Sequence, residues 1–141
     1  MRMVLLALTT AAALTAQTAD GAANLDFDFF KARVQPILLA KREGHARCYV
    51  CHSTGTPYRL QRLSPGATTW NDEQARKNFE ATLTMVNLHD LNASPLLTFP
   101  LAQAAGGNRF HPGGKHWDSK NAPEWKILNE WVHGQKATAS K

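Results

Sequence analysis

The chain has 141 residues and a formal net charge of +5 at pH 7, from 16 Lys and Arg against 11 Asp and Glu. That length suits one domain with one core. Two cysteines rule out a multi-disulfide scaffold, and without a basic cluster interleaved with aromatics nucleic acid has no support as a partner.

Residues 1–23 read as an export signal. Arg2 is the positive start, Val4 to Ala16 the apolar run, and small residues follow, with Gly21-Ala22-Ala23 one candidate cleavage site and Ala16 or Ala19 others. The apolar run is too short for the ~20 residues that span a bilayer. The expected product is a single domain over residues 24–141, with no membrane span. It would reside in the periplasm or be held on the outer face of a membrane. Losing Arg2 lowers the net charge by one unit, and the weak positive balance left reads as ordinary solubility before it reads as a docking field for an acidic partner.

Residues 25–42 place Phe27, Phe30, Val34, Ile37 and Leu38 near one helical face. Pro36 sits inside that run and predicts a kink or break. Gly44 and its polar neighbours release the chain into Cys48-Tyr49-Val50-Cys51-His52, the C-x-x-C-H arrangement of c-type haem attachment. Two thiols at this spacing can add to the two vinyl groups on one porphyrin edge, and the adjacent imidazole then lies under the iron. A zinc site needs two more ligands at finger-like spacing, about 12 to 15 residues; His111 and His116 begin far beyond that. A thioredoxin-like dithiol needs a strand-to-helix junction, and no strand-like alternation precedes the motif.

Residues 53–70 are rich in Ser, Thr, Gly and Pro and read as loop. Asp72 is the expected cap of a helix running to about Leu88, with Phe79, Leu83 and Val86 on one side. Ser94-Pro95 signals a third helix through Leu101. From Gln103 to Ser119 the chain is a long Gly-, Asn- and His-rich loop. Pro123 opens the last helix, whose stripe is Trp125, Leu128, Trp131 and Val132, and Gly134 stops it, leaving a frayed tail.

An N-terminal helix, a haem motif, a long wrap and an aromatic C-terminal helix resemble a class I, single-haem cytochrome c. The phrases VQPILLAKREGHARCYVCH, SPLLTFPLAQAAGG, HPGGKHW and EWKILNEWVHG are similar to the cytochrome c domains common in planctomycetes and acidobacteria, and cover almost all of the mature chain. The resemblance implies an all-α, cytochrome c-like fold of short helices and long loops around one covalent haem. It also implies that the first and last helices cross, with Phe30 and Trp131 at the crossing. Many relatives carry Met-Pro-Pro in the ligand loop, where this chain reads His111-Pro112-Gly113-Gly114. By the same analogy the carbonyl of Pro65 is the expected acceptor for the proximal ring.

His52 is the proximal candidate, and the sixth ligand lies among several residues. Met85 falls among apolar neighbours, where methionine is more often core filler. His45 is too close to Cys48 to reach the opposite face, and His133 ends a helix, where a cation beside the carbonyls explains it. His111 leads, because proline and two glycines let its backbone approach a flat ring and because it follows the family's ligand-loop position. His116, which could instead bond a propionate, His89, Met85 and an open face are the alternatives. The resulting expectation is a periplasmic, non-enzymatic one-electron carrier with Cys48, Cys51, His52 and His111 around haem c and redox proteins as partners. The alternatives are a haem-bearing subunit of a membrane-bound respiratory or photosynthetic complex, and an open-site haem enzyme or gas binder.

Overall fold

The computed structural model describes residues 25–138; the expected export segment, 1–23, lies outside them. The described residues begin with α1, Phe27–Phe29, capped by the Asp26 carboxylate, which accepts from the Phe29 N–H at 2.6 Å. A π turn over Phe30–Val34 follows, and α2, Gln35–Leu39, continues from it. The run therefore continues through Pro36 without a break, its regular α geometry interrupted by the π turn. Proline has no N–H and its ring crowds the carbonyl four residues back; the wide turn just before it, closed by the Gln35 N–H on the Phe30 carbonyl, relieves that crowding.

The Cys-x-x-Cys-His residues form a single-turn helix, α3, Cys48–His52. Residues 53–71 run without helix to α4, Asp72–Leu83. Its cap is Asn71 rather than Asp72. The Asn71 side chain accepts from the Gln74 N–H at 2.9 Å while Gln74 accepts from the Asn71 N–H at 3.2 Å, a reciprocal box that leaves Asp72 as the first helical residue, ion-paired to Lys31. The helix also ends at Leu83, short of Leu88. There the Met85 and Val86 N–H groups bond carbonyls three residues back, and Asn87 accepts from the N–H of both His89 and Asp90, which turns the chain.

A 3₁₀ turn over Leu91–Ala93 leads to α5, Pro95–Thr98, which stops before the expected Leu101 because Pro100 has no N–H to continue it. A second 3₁₀ turn spans Gln103–Ala105, and an isolated parallel bridge joins Leu101 to Trp117. The last helix, α6, spans Pro123–Val132 with Trp125, Leu128, Trp131 and Val132 all buried, and Gly134 leaves it at φ +84°. Among the described residues the fold is helical, and no helix is long and apolar enough to cross a membrane.

The first and last helical segments meet at Phe30 and Trp131, both 0% exposed, with ring centres 5.5 Å apart. Phe79 of α4 completes the cluster at 5.5 Å from Phe30 and 5.9 Å from Trp131. The indole N–H of Trp131 donates to the Asp26 carbonyl at 2.9 Å, so the ring buries its area without stranding its one polar atom.

Two substitutions test this packing. Trp131→Ala should cost about 3–5 kcal/mol, read by chemical denaturation; an unchanged midpoint would contradict the burial. At Gly107 an added Cβ would lie 1.9 Å from the Leu101 carbonyl oxygen. Gly107→Ala should therefore lower the melting temperature sharply, at a cost of roughly 3 kcal/mol or more, and a wild-type melting curve would show that this backbone approach is loose.

Candidate functional site

A cleft with about 990 Å³ of empty space, part of it continuous with solvent, opens between α3, α5 and the 111–117 loop. Its walls are largely apolar, with Leu38, Leu96, Phe99, Trp117 and Leu128 among them, and it is lined at one end by Cys48, Cys51 and His52. Both thiols are free; Cys48 is half-buried and Cys51 exposed. Burial pushes the Cys48 thiol up, opposed by the Arg42 guanidinium, so it is a neutral S–H near neutral pH. One turn of helix places the two thiols and the imidazole on a single cleft wall.

The Nδ1 of His52 lies 3.0 Å from the Tyr58 carbonyl oxygen. A carbonyl only accepts, so Nδ1 carries the proton and Nε2 holds the free lone pair. This acceptor replaces the expected Pro65 carbonyl. The chain turns back within six residues of His52, with the Leu60 N–H on the His52 carbonyl at 2.7 Å, and so brings Tyr58 to the ring. Burial, and secondarily the charge of His111, pull His52 below the ordinary imidazole range, against the Tyr58 carbonyl. That shift favours the neutral ring.

His111 faces His52. Their ring centres are 6.3 Å apart and their planes lie within 14°. His111 is held by the same device, its Nδ1 2.6 Å from the Gly114 carbonyl oxygen. Gly114 aims that carbonyl from φ +75°, a left-handed conformation that costs other residues about 1–2 kcal/mol. Gly113 lies against the ring itself, where an added Cβ would stand 3.2 Å from His111 Cε1. The two glycines thus have separate duties, one orienting the carbonyl and one leaving room for the imidazole.

The other candidates divide by position. Met85 and His116 line the cleft. His116 is pulled down to about 4, chiefly by burial and then by Arg42, and its Nδ1 is buried without a hydrogen-bond partner. His45 rests on His116 with ring centres 4.6 Å apart, outside the cleft lining. His89 is exposed beyond α4, and His133 ends α6 with Nδ1 on the Asn129 carbonyl at 2.8 Å; neither lines the cleft. Sequence reasoning missed Arg42, whose guanidinium donates to Glu124 at 2.7 Å, lies over the Trp117 ring and reaches toward the Cys48 sulfur. Residues this far apart along the chain leave no local signal of their pairing.

Among the described residues no group of three or more His, Cys, Asp or Glu is arranged to hold a bare metal ion. Two facing imidazoles are an incomplete donor set for a bare ion. They suffice for an ion whose four equatorial positions a flat macrocycle already fills. No family model matches the chain, and neither curated proteins nor solved structures provide a match.

The glycine roles predict distinct phenotypes. Gly114→Ala should destabilise the loop by about 1 kcal/mol, while Gly113→Val should push the His111 ring out of its place opposite His52. A crystal structure of Gly113→Val with the 6.3 Å ring separation preserved would dismiss the second role.

Proposed function

We propose that this chain is a periplasmic c-type cytochrome that carries one electron and transforms no substrate. The observation that supports it best is the pair of near-parallel imidazoles, His52 and His111, 6.3 Å apart across a cleft lined by both cysteines. Two imidazoles bound end-on to one metal at about 2 Å each hold their ring centres roughly 6 Å apart. Each Nδ1 is occupied by a backbone carbonyl, which fixes the tautomer and leaves Nε2 as the ligating atom. The apolar walls suit the faces of a porphyrin, and the Cys48 and Cys51 thiols can each add S–H across a vinyl double bond to give thioethers.

A haem so held supplies a one-electron ferric/ferrous couple. The chain's own part would be to hold both imidazoles by their Nδ1 atoms and to keep water from the group behind largely apolar walls. Two imidazoles, in place of the histidine and methionine that raise the potential, favour the low end of the range for such carriers. Export, read from residues 1–23, places the chain where haem is attached in bacteria. Its partners are then redox proteins, free or within a membrane-bound electron-transfer complex.

The experiment is spectroscopic. Acid acetone should leave haem on the chain and a pyridine haemochrome should show a c-type band, while Cys48→Ala with Cys51→Ala should yield little coloured protein. The ferric protein should be low-spin without a sulfur-to-iron near-infrared band. His111→Ala should turn it high-spin and let cyanide or carbon monoxide bind rapidly. A low-spin spectrum unchanged by His111→Ala would reject His111, and the same substitution at His116 and Met85 would then identify the ligand.

A further inference from the structure

We infer that Tyr58 and Thr82 form a positioning pair that holds the proximal His52 and, on the reading that this histidine ligates haem iron, sets the reduction potential. Tyr58 lies in a segment without helix or strand, and one backbone bond, the Leu60 N–H on the His52 carbonyl, brings it to the His52 ring. The Tyr58 side chain adds the ties that aim the carbonyl. The ring is buried against the His52 imidazole with centres 4.8 Å apart, and the phenol oxygen lies 2.9 Å from the Thr82 hydroxyl in a site closed to solvent.

The direction of that bond follows from counting donors. Thr82 spends its only O–H on the Asn78 carbonyl at 2.6 Å, so the phenol must donate to Thr82. A second tether lies three residues on, where the Gln61 N–H donates to the Asn78 side chain at 2.7 Å. The loop that carries the acceptor for His52 is therefore moored at both points to the buried face of α4. Thr56 donates to the same Tyr58 carbonyl at 2.5 Å, and its hydroxyl oxygen lies 3.2 Å from His52 Nδ1, on the same side as the imidazole.

A firm Nδ1–H to carbonyl bond pushes electron density onto Nε2 and makes the imidazole a stronger donor. Stronger donation stabilises the ferric ion more than the ferrous ion and lowers the potential. Releasing Tyr58 lets its carbonyl drift from Nδ1 and should raise it. Thr82 does not line the cleft; Tyr58 does, and its tie to Thr82 bears on His52 through the carbonyl.

The test uses the full-length holoprotein with Tyr58→Phe, Thr82→Val and Thr82→Ser. Midpoint potential and the His52 Nδ1–H proton resonance are both measured. Tyr58→Phe and Thr82→Val should raise the potential and move the resonance upfield, with the low-spin spectrum kept, whereas Thr82→Ser should match wild type. A purely structural role would lower the melting temperature and leave both readings in place, and that result in either folded variant overturns the pair. If the chain proves to carry no haem, the cytochrome reading falls by itself. The Nδ1–H resonance still decides the pair, supporting it by a shift in Tyr58→Phe and overturning it by none.

Discussion

The buried contact between Phe30 and Trp131 is the constraint from which the rest of the architecture follows. It fastens the first helical segment to the last one, some hundred residues away in the chain, and Phe79 seats α4 on the same cluster. The cleft draws its walls from α2, α3, α5 and α6 as well as from the 111–117 loop. In so small a domain an apolar cleft of this size is a loss of core, and three large aromatic rings packed together compensate for much of it.

Both imidazoles that face the cleft are held by backbone rather than by acidic side chains. Tyr58 and Gly114 each present a carbonyl to an Nδ1, one fixed through a buried phenol and the other through a left-handed glycine. A carboxylate in either place would bring a full negative charge beside the imidazole, whereas a carbonyl polarises the ring and adds no net charge. The nearest ionic device is off to one edge, where Arg42 and Glu124 pair beside Trp117 and Cys48.

What could be read from the chain was what depends on short spacing. The Pro123 start and the apolar stripe of the last helix each lie within about three turns and stand where the proline and the periodicity put them. His111 opposite His52 was reached through flanking proline and glycines and through resemblance to a family. The errors fell where local signals compete. Asp72 and Asn71 are both good caps, and only the side-chain exchange with Gln74 decides between them. The stop at Leu83 depends on Asn87 bonding ahead to His89 and Asp90, and apolar spacing alone does not reveal that. The Tyr58 acceptor lies only six residues from His52 but in an irregular turn that no periodicity marks, and the Arg42 pair with Glu124 joins residues by tertiary folding, which no window along the chain can anticipate.

The π turn at Phe30–Val34 also decides which side chains reach the cleft. Phe29, Phe30, Val34, Gln35, Ile37 and Leu38 are all buried, yet on an uninterrupted α-helix at about 100° per residue they would fan over roughly two-thirds of the circumference. The wider turn rotates less per residue and gathers them onto one side. In register terms it behaves as an extra residue inserted upstream of Pro36: deleting one residue of the turn would restore an ordinary helix and leave Leu38 on the cleft wall it lines, whereas an α turn of unchanged length would swing Leu38 away by about 100°. The shape of the cleft is thus set in part by a phase shift in a helix that carries none of its chemistry.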